Sequence, residues 1–224
     1  MLVTSRSFAE YEAMFDLSGR DLTGSILDCC AGGSSFAAET SALAARVVAV
    51  DPVYALAPAQ LESHVRAALP NGDRIIDEHP DRFEWGWYGT PTNRLRLRTA
   101  AAEAFLADLH ARPGRYLAGA LPHLPLASAS FDLVLCSHLL FTWSDRLGED
   151  WHREALAELV RVARREVRVF PVVVQGTAEP VAFLDALRDG VHAAGHRSEV
   201  REVPYRFQRG ARHMLVISVR QVGA

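Results

Sequence analysis

Between residues 25 and 51 the chain reads Ser25-Ile26-Leu27-Asp28-Cys29-Cys30-Ala31-Gly32-Gly33-Ser34-Ser35-Phe36 and then, one helix length later, Val47-Val48-Ala49-Val50-Asp51. An apolar run, a turn of small residues, a helix and a second apolar run ending in an acid constrain the fold more than any other stretch. A turn of small residues lets the main chain approach a ligand closely, and the helix N-terminus that follows presents unpaired N–H groups. Asp51, about twenty residues beyond the turn, is placed to accept hydrogen bonds from two ribose hydroxyls. The order predicts a nucleotide-type cofactor site built from backbone and one carboxylate.

The rest of the chain continues this alternation. Helical spacing marks 5–17 (Phe8, Tyr11, Met14), 36–45, 55–69, 99–109, 150–164 and a last helix carrying Val181, Leu184, Leu187 and Val191. Pro70-Asn71-Gly72 reads as the stop of the third of these. Apolar strands are expected at 26–29, 46–51, 116–121, 131–136 and 166–170. Two closing strands, 199–207 and 213–220, flank a hairpin loop at Gln208–Ala211. Alternating strands and helices predict a doubly wound α/β fold: a mostly parallel seven-stranded sheet, helices on both faces, and an antiparallel C-terminal pair. At 224 residues this is one domain over 1–224, with an N-terminal helix inside 1–20. Residues 73–98 read as an irregular insert and candidate substrate lid, where Trp85, Trp87 and Tyr88 either roof a pocket or fill the core.

Composition removes several function classes. All 24 basic residues are arginine, so Schiff-base, pyridoxal-phosphate and Walker-lysine chemistry are excluded. A net charge of −3 argues against a nucleic-acid partner, and the densest basic run, Arg94-Leu95-Arg96-Leu97-Arg98, reads as a solvated face. The three cysteines, Cys29, Cys30 and Cys136, lack zinc spacing and sit in apolar contexts, so no metal is expected. With no signal pattern and no membrane-length apolar run, the expectation is a soluble, cytoplasmic protein with a small-molecule substrate.

From about residue 20 to 220 the chain resembles the class I S-adenosylmethionine (SAM)-dependent methyltransferases. Ile26-Leu27-Asp28 matches their first strand and acid, Gly32 the central glycine of their Gly-x-Gly-x-Gly turn, and Asp51 the ribose-binding acid. Leu124-Pro125-Leu126 followed by Ser130-Phe131-Asp132-Leu133-Val134-Leu135 is similar to their run into strand four. More narrowly, the Asp28–Phe36 stretch, Asp51-Pro52-Val53-Tyr54 and Cys136-Ser137-His138 resemble an uncharacterised bacterial branch. The resemblance implies a Rossmann-like fold and a SAM site formed by Asp28, Ala31, Gly32, Gly33, Ser34, Asp51, Pro52, Ala120, Leu121 and Ser137. It implies methyl transfer to a small-molecule acceptor, or, as the alternative, a non-catalytic SAM- or nucleotide-binding protein.

Several positions depart from the family pattern. Cys30 and Ser34 replace the outer glycines, which predicts a remodelled turn rather than a side chain at positive φ, with Ser34 capping the helix and offering its hydroxyl to the cofactor. Ala120 stands where many members carry an adenine-reading Asp. His138, two residues past strand four, is either a general base near the reacting methyl or a helix-start histidine bonded to backbone. Tyr11 is either part of a lid or a plain amphipathic-helix residue, and Arg209-Gly210 is either a turn or a substrate contact.

Overall fold

Among the described residues, seven strands and six α-helices follow from this pattern. The strands are β1 (Ser25–Cys29), β2 (Arg46–Val50), β3 (Tyr116–Leu117), β4 (Phe131–Ser137), β5 (Ala163–Phe170), β6 (Arg197–Glu202) and β7 (His213–Ser218). The helices are α1 (Phe8–Phe15), α2 (Phe36–Thr40), α3 (Pro58–Glu78), α4 (Pro91–Ala111), α5 (Glu149–Val162) and α6 (Leu184–Ala193). The computed structural model describes residues 3–40, 46–177 and 179–220. The strands form one sheet in the order β3-β2-β1-β4-β5-β7-β6, parallel except for β7, which runs antiparallel to both β5 and β6. The expected Rossmann-like architecture is present.

The period-2 pattern of β1 feeds both faces. Ile26 packs into a core with Tyr11, Phe36, Leu61 and Phe105 of α1–α4, while Leu27 and Cys29 join Leu156, Leu159 and Leu187 of α5 and α6. Strand order reverses beside β1, where Cys29 is level with Val50 of β2 and with Cys136 of β4. At such a switch point the loops leave in opposite directions and open a crevice beyond the C-terminal strand ends. Among the described residues no helix is long and apolar enough to cross a membrane.

Four expectations change. The helix expected to stop at Pro70 continues to Glu78. A proline inside a helix costs about 3 kcal/mol, but Leu61 and Val65 before it and Ile76 after it are all buried on the same core, and that burial carries the helix through. The 73–98 stretch is therefore helical at both ends, and only 79–90 connects α3 to α4. The third strand, expected over 116–121, has two residues: a Cβ at Gly119 would lie 2.8 Å from Pro125 and 2.9 Å from Val50, and the chain folds back on itself there. The closing connection spans 203–212 rather than four residues, and it buries Val203, Tyr205, Phe207 and Ala211 against the α1–α4 core. Of the crossover helix expected at 36–45, residues 41–45 lie outside the described residues.

Candidate functional site

Asp51 leaves the end of β2 with both oxygens engaged. Oδ2 accepts from the Gly32 N–H and Oδ1 from the Val53 N–H, each at 3.0 Å. Burial pushes its pKa up, and the two backbone N–H groups oppose that shift. Each oxygen keeps a further lone pair. Gly32 sits at φ 57°, and its carbonyl accepts from the Tyr54 hydroxyl at 2.7 Å. The turn keeps the left-handed shape rather than being remodelled: Cys30 adopts φ 63°. A side chain there costs about 1–2 kcal/mol; the N–H groups of Cys30 and Ala31 both donate to Val50 O, at 2.8 and 3.2 Å, and hold it.

The amides after the turn are not unpaired. Gly33 N–H donates to Thr4 O at 3.2 Å, Ser35 N–H to Arg6 O at 2.9 Å, and Phe36 N–H to Ser34 Oγ at 3.1 Å. Residues 3–7 thus lie across the turn and satisfy it. Ser34 caps the helix as expected, but its hydroxyl donates to Arg6 O at 3.2 Å, which turns it away from any ligand. Asp28 lies beneath: Tyr11 Oη donates to its Oδ1 at 2.9 Å, its Oδ2 has no protein partner, and burial raises its pKa well above the carboxylate range. Tyr11, with its ring stacked on Phe36, is core and not lid.

A cavity of about 710 Å³ opens above these strand ends, a size typical of small-molecule sites. Gly32, Asp51, Pro52, Ala120, Leu121, Ser137 and His138 all line it; Asp28, Ala31, Gly33 and Ser34 do not. His138 follows β4 at φ 53°, with its N–H donated to Phe170 O at 2.7 Å. Its ring bonds a side chain, not backbone: Nδ1 lies 2.8 Å from Ser137 Oγ. Burial, then the nearby charges of Arg6 and Arg98, hold its pKa well below the usual imidazole value, so the ring is neutral at pH 7 and able to accept a proton.

The other walls come from residues the sequence reading passed over. Ile75, Ile76, Arg82 and Phe83 face the cavity from the end of α3 and the connection after it, Tyr205, Phe207 and Gln208 from the 203–212 loop, and Thr142, Trp143, Arg146 and Trp151 from beyond β4. Arg94 and Arg98 also line it, so the run at 94–98 is not a solvated face: these two are 9% and 5% exposed, while Arg96 between them is exposed. The i, i+4 spacing of 94 and 98 was the available signal. Arg98 donates to Ser5 O at 3.0 Å and Tyr88 Oη at 2.9 Å and pairs with buried Glu10 at 2.8 Å. Burial works against the Glu10 carboxylate, yet Arg98 and Arg6 hold its pKa below the usual range. Arg94 lies over the Phe207 ring at 5.2 Å.

The aromatic cluster supports these walls from behind. Trp85 packs edge-on against Phe207 and Trp87 against Tyr205, Tyr88 is buried, and none of the three lines the cavity. Arg209 donates to Asp81 O at 2.8 Å and also stands outside it. The three cysteines are free, and their sulfurs lie within 4.8 Å of one another; Cys30 reaches the cavity wall, while Cys29 and Cys136 are buried.

Residues 95–170, from α4 to the end of β5, match the family model described as a methyltransferase domain. A protein of Methanocaldococcus jannaschii described only as uncharacterised is 26% identical over 221 residues, covering 96% of this chain and 95% of its own length; it is archaeal, not bacterial. Similar solved structures include magnesium protoporphyrin IX methyltransferase from Synechocystis with bound SAM, at 12% identity and a TM-score of 0.48, covering 95% of this chain and 81% of that one. Another is the 1,6-didemethyltoxoflavin N1-methyltransferase of Burkholderia thailandensis with its acceptor and S-adenosylhomocysteine (SAH), at 17% identity and a TM-score of 0.47, covering 95% and 80%.

Proposed function

We propose that this chain is a SAM-dependent methyltransferase acting on a small-molecule acceptor in the cytoplasm. The observation that carries the reading is the convergence, on one cavity, of a carboxylate after β2, a glycine turn after β1 and a histidine after β4. Asp51, with one lone pair on each oxygen spent on backbone, has the remaining pairs to accept from the two hydroxyls of a ribose. Pro52, Ala120 and Leu121 offer apolar contact for a base, with no side-chain acid to read its amino group. Asp28 acts from beneath the turn, holding Tyr11 and with it α1. The residues fit the cofactor.

When bound, SAM supplies a methyl group on a sulfonium, which an acceptor lone pair takes in line as the carbon–sulfur electron pair returns to sulfur and leaves SAH. The chain's part is to hold the acceptor atom on that line and exclude water. In the tautomer that donates Nδ1–H to Ser137 Oγ, His138 keeps its lone pair on Nε2 and removes the acceptor's proton where there is one to remove.

One observation favours the second reading, a non-catalytic SAM- or nucleotide-binding protein: residues 4–6 already occupy the amides of the turn. Incubation of the protein with methyl-labelled SAM and a fractionated small-molecule extract separates the two. Label moving into a small molecule, with SAH formed in equal amount, supports the methyltransferase; SAM binding with no transfer to any fraction contradicts it.

A further inference from the structure

Among the described residues five arginines line the cavity, Arg6, Arg82, Arg94, Arg98 and Arg146, against one carboxylate, Asp51. Arg98 is neutralised from beneath by Glu10, and exposed Arg146 lies 3.8 Å from Asp145. Among the described residues, Arg6 Nε, Arg98 Nε and Gln208 Nε2 are buried donors without a hydrogen-bond partner, and the Thr142 hydroxyl, which can donate or accept, is in the same state; all four residues line the cavity. A buried donor left unsatisfied is costly, and three around one cavity point to acceptor oxygens supplied by a ligand.

The proposed cofactor does not meet this need alone. Its carboxylate can take one cationic partner, but its sulfonium and ammonium add positive charge to the same space. Phe83, Trp143 and Phe207 add apolar, aromatic lining. Arg146 lies over the Trp143 ring at 5.0 Å. The N–H groups of a guanidinium lie in its plane and match the two oxygens of a carboxylate or phosphate.

We infer that the methyl acceptor is an oxyanion-bearing molecule with an apolar or aromatic body, anchored by its carboxylate or phosphate on the arginines of this cavity. The inference rests on the methyltransferase reading and adds the acceptor's chemical class. The anchored oxyanion sets the acceptor's orientation; a different atom is methylated.

Protein saturated with SAH is titrated with benzoate, phenyl phosphate and benzamide by calorimetry. With the cofactor's own carboxylate in place, any anion bound in the ternary complex reports the acceptor side. The expected result is that at least one anion binds about tenfold or more tighter than the neutral amide, a difference of about 1.4 kcal/mol. Which anion prefers the site tells carboxylate from phosphate. In Arg146→Gln, an exposed position whose loss leaves the fold intact, the preference shrinks several-fold while SAH affinity holds. Equal binding of benzamide and both anions, or no anion binding to the SAH-loaded protein, overturns the inference. Absence of SAH binding in the first step instead overturns the reading on which it rests.

Discussion

The floor and the roof of the cavity are built by different means. Each piece of the floor sits directly after a strand: turn, acid and histidine follow β1, β2 and β4 at the ends where a doubly wound sheet always opens. Its working contacts are mostly backbone, as in the Gly32 N–H on Asp51 and the paired amides on Val50 O. The roof is assembled from residues far apart in the chain, including Arg6, Ile76, Arg94 and Phe207, held by a buried ion pair and by aromatic edges. A backbone floor tolerates few designs and suits a shared cofactor, whereas a side-chain roof changes with single substitutions and suits a particular acceptor.

The sharpest way to break the roof is Arg98→Met. It strands Glu10 as an unpaired buried charge and should cost about 3–5 kcal/mol in urea unfolding. The double variant Glu10→Gln/Arg98→Met should recover much of that loss; if it does not, the pair is not what ties α1 to α4. On the floor, His138→Asn should lower the rate of label transfer about 10²-fold or more if the acceptor loses a proton. The acid limb of the wild-type rate profile should then fall below about pH 6.5, because the ring's pKa is depressed. A limb at or above that value would remove His138 as the base.

Smaller effects separate structure from binding within the floor. The native state holds the Asp28 proton more tightly than the unfolded chain does, so wild-type stability falls as pH rises from about 4 toward the raised native value. An amide does not ionise, so Asp28→Asn should gain on the wild type with rising pH in urea titrations. A pH-independent difference would mean that Asp28 ionises freely. Ser34→Ala should cost about 1 kcal/mol of stability through the lost cap while leaving SAH affinity unchanged. A drop in affinity would return Ser34 to the cofactor site.

The floor was legible because its elements are local. A strand's apolar run and a turn's small residues predict their own geometry, and Asp51 follows by spacing. Ser34 and Gly33 were misplaced for a long-range reason: residues 3–7 cover the turn, and nothing in the turn itself announces that. The roof was nearly illegible. Arg94 and Arg98 look solvated in a one-dimensional reading because arginine is usually exposed, and only helical spacing, with a buried acid 88 positions from Arg98, reverses this. Pro70 misled for the same reason, since a local stop signal lost to core burial on both sides of it.

The central claim, that the floor is a SAM site centred on Asp51, is tested most directly by titrating SAH into the wild type and into Asp51→Ala, with NAD as the competing nucleotide. The account predicts that SAH binds the wild type, that NAD does not, and that the substitution weakens SAH by about 1–3 kcal/mol, the worth of a charged hydrogen bond. Equal SAH affinity in the two proteins, or preference for NAD, would contradict it.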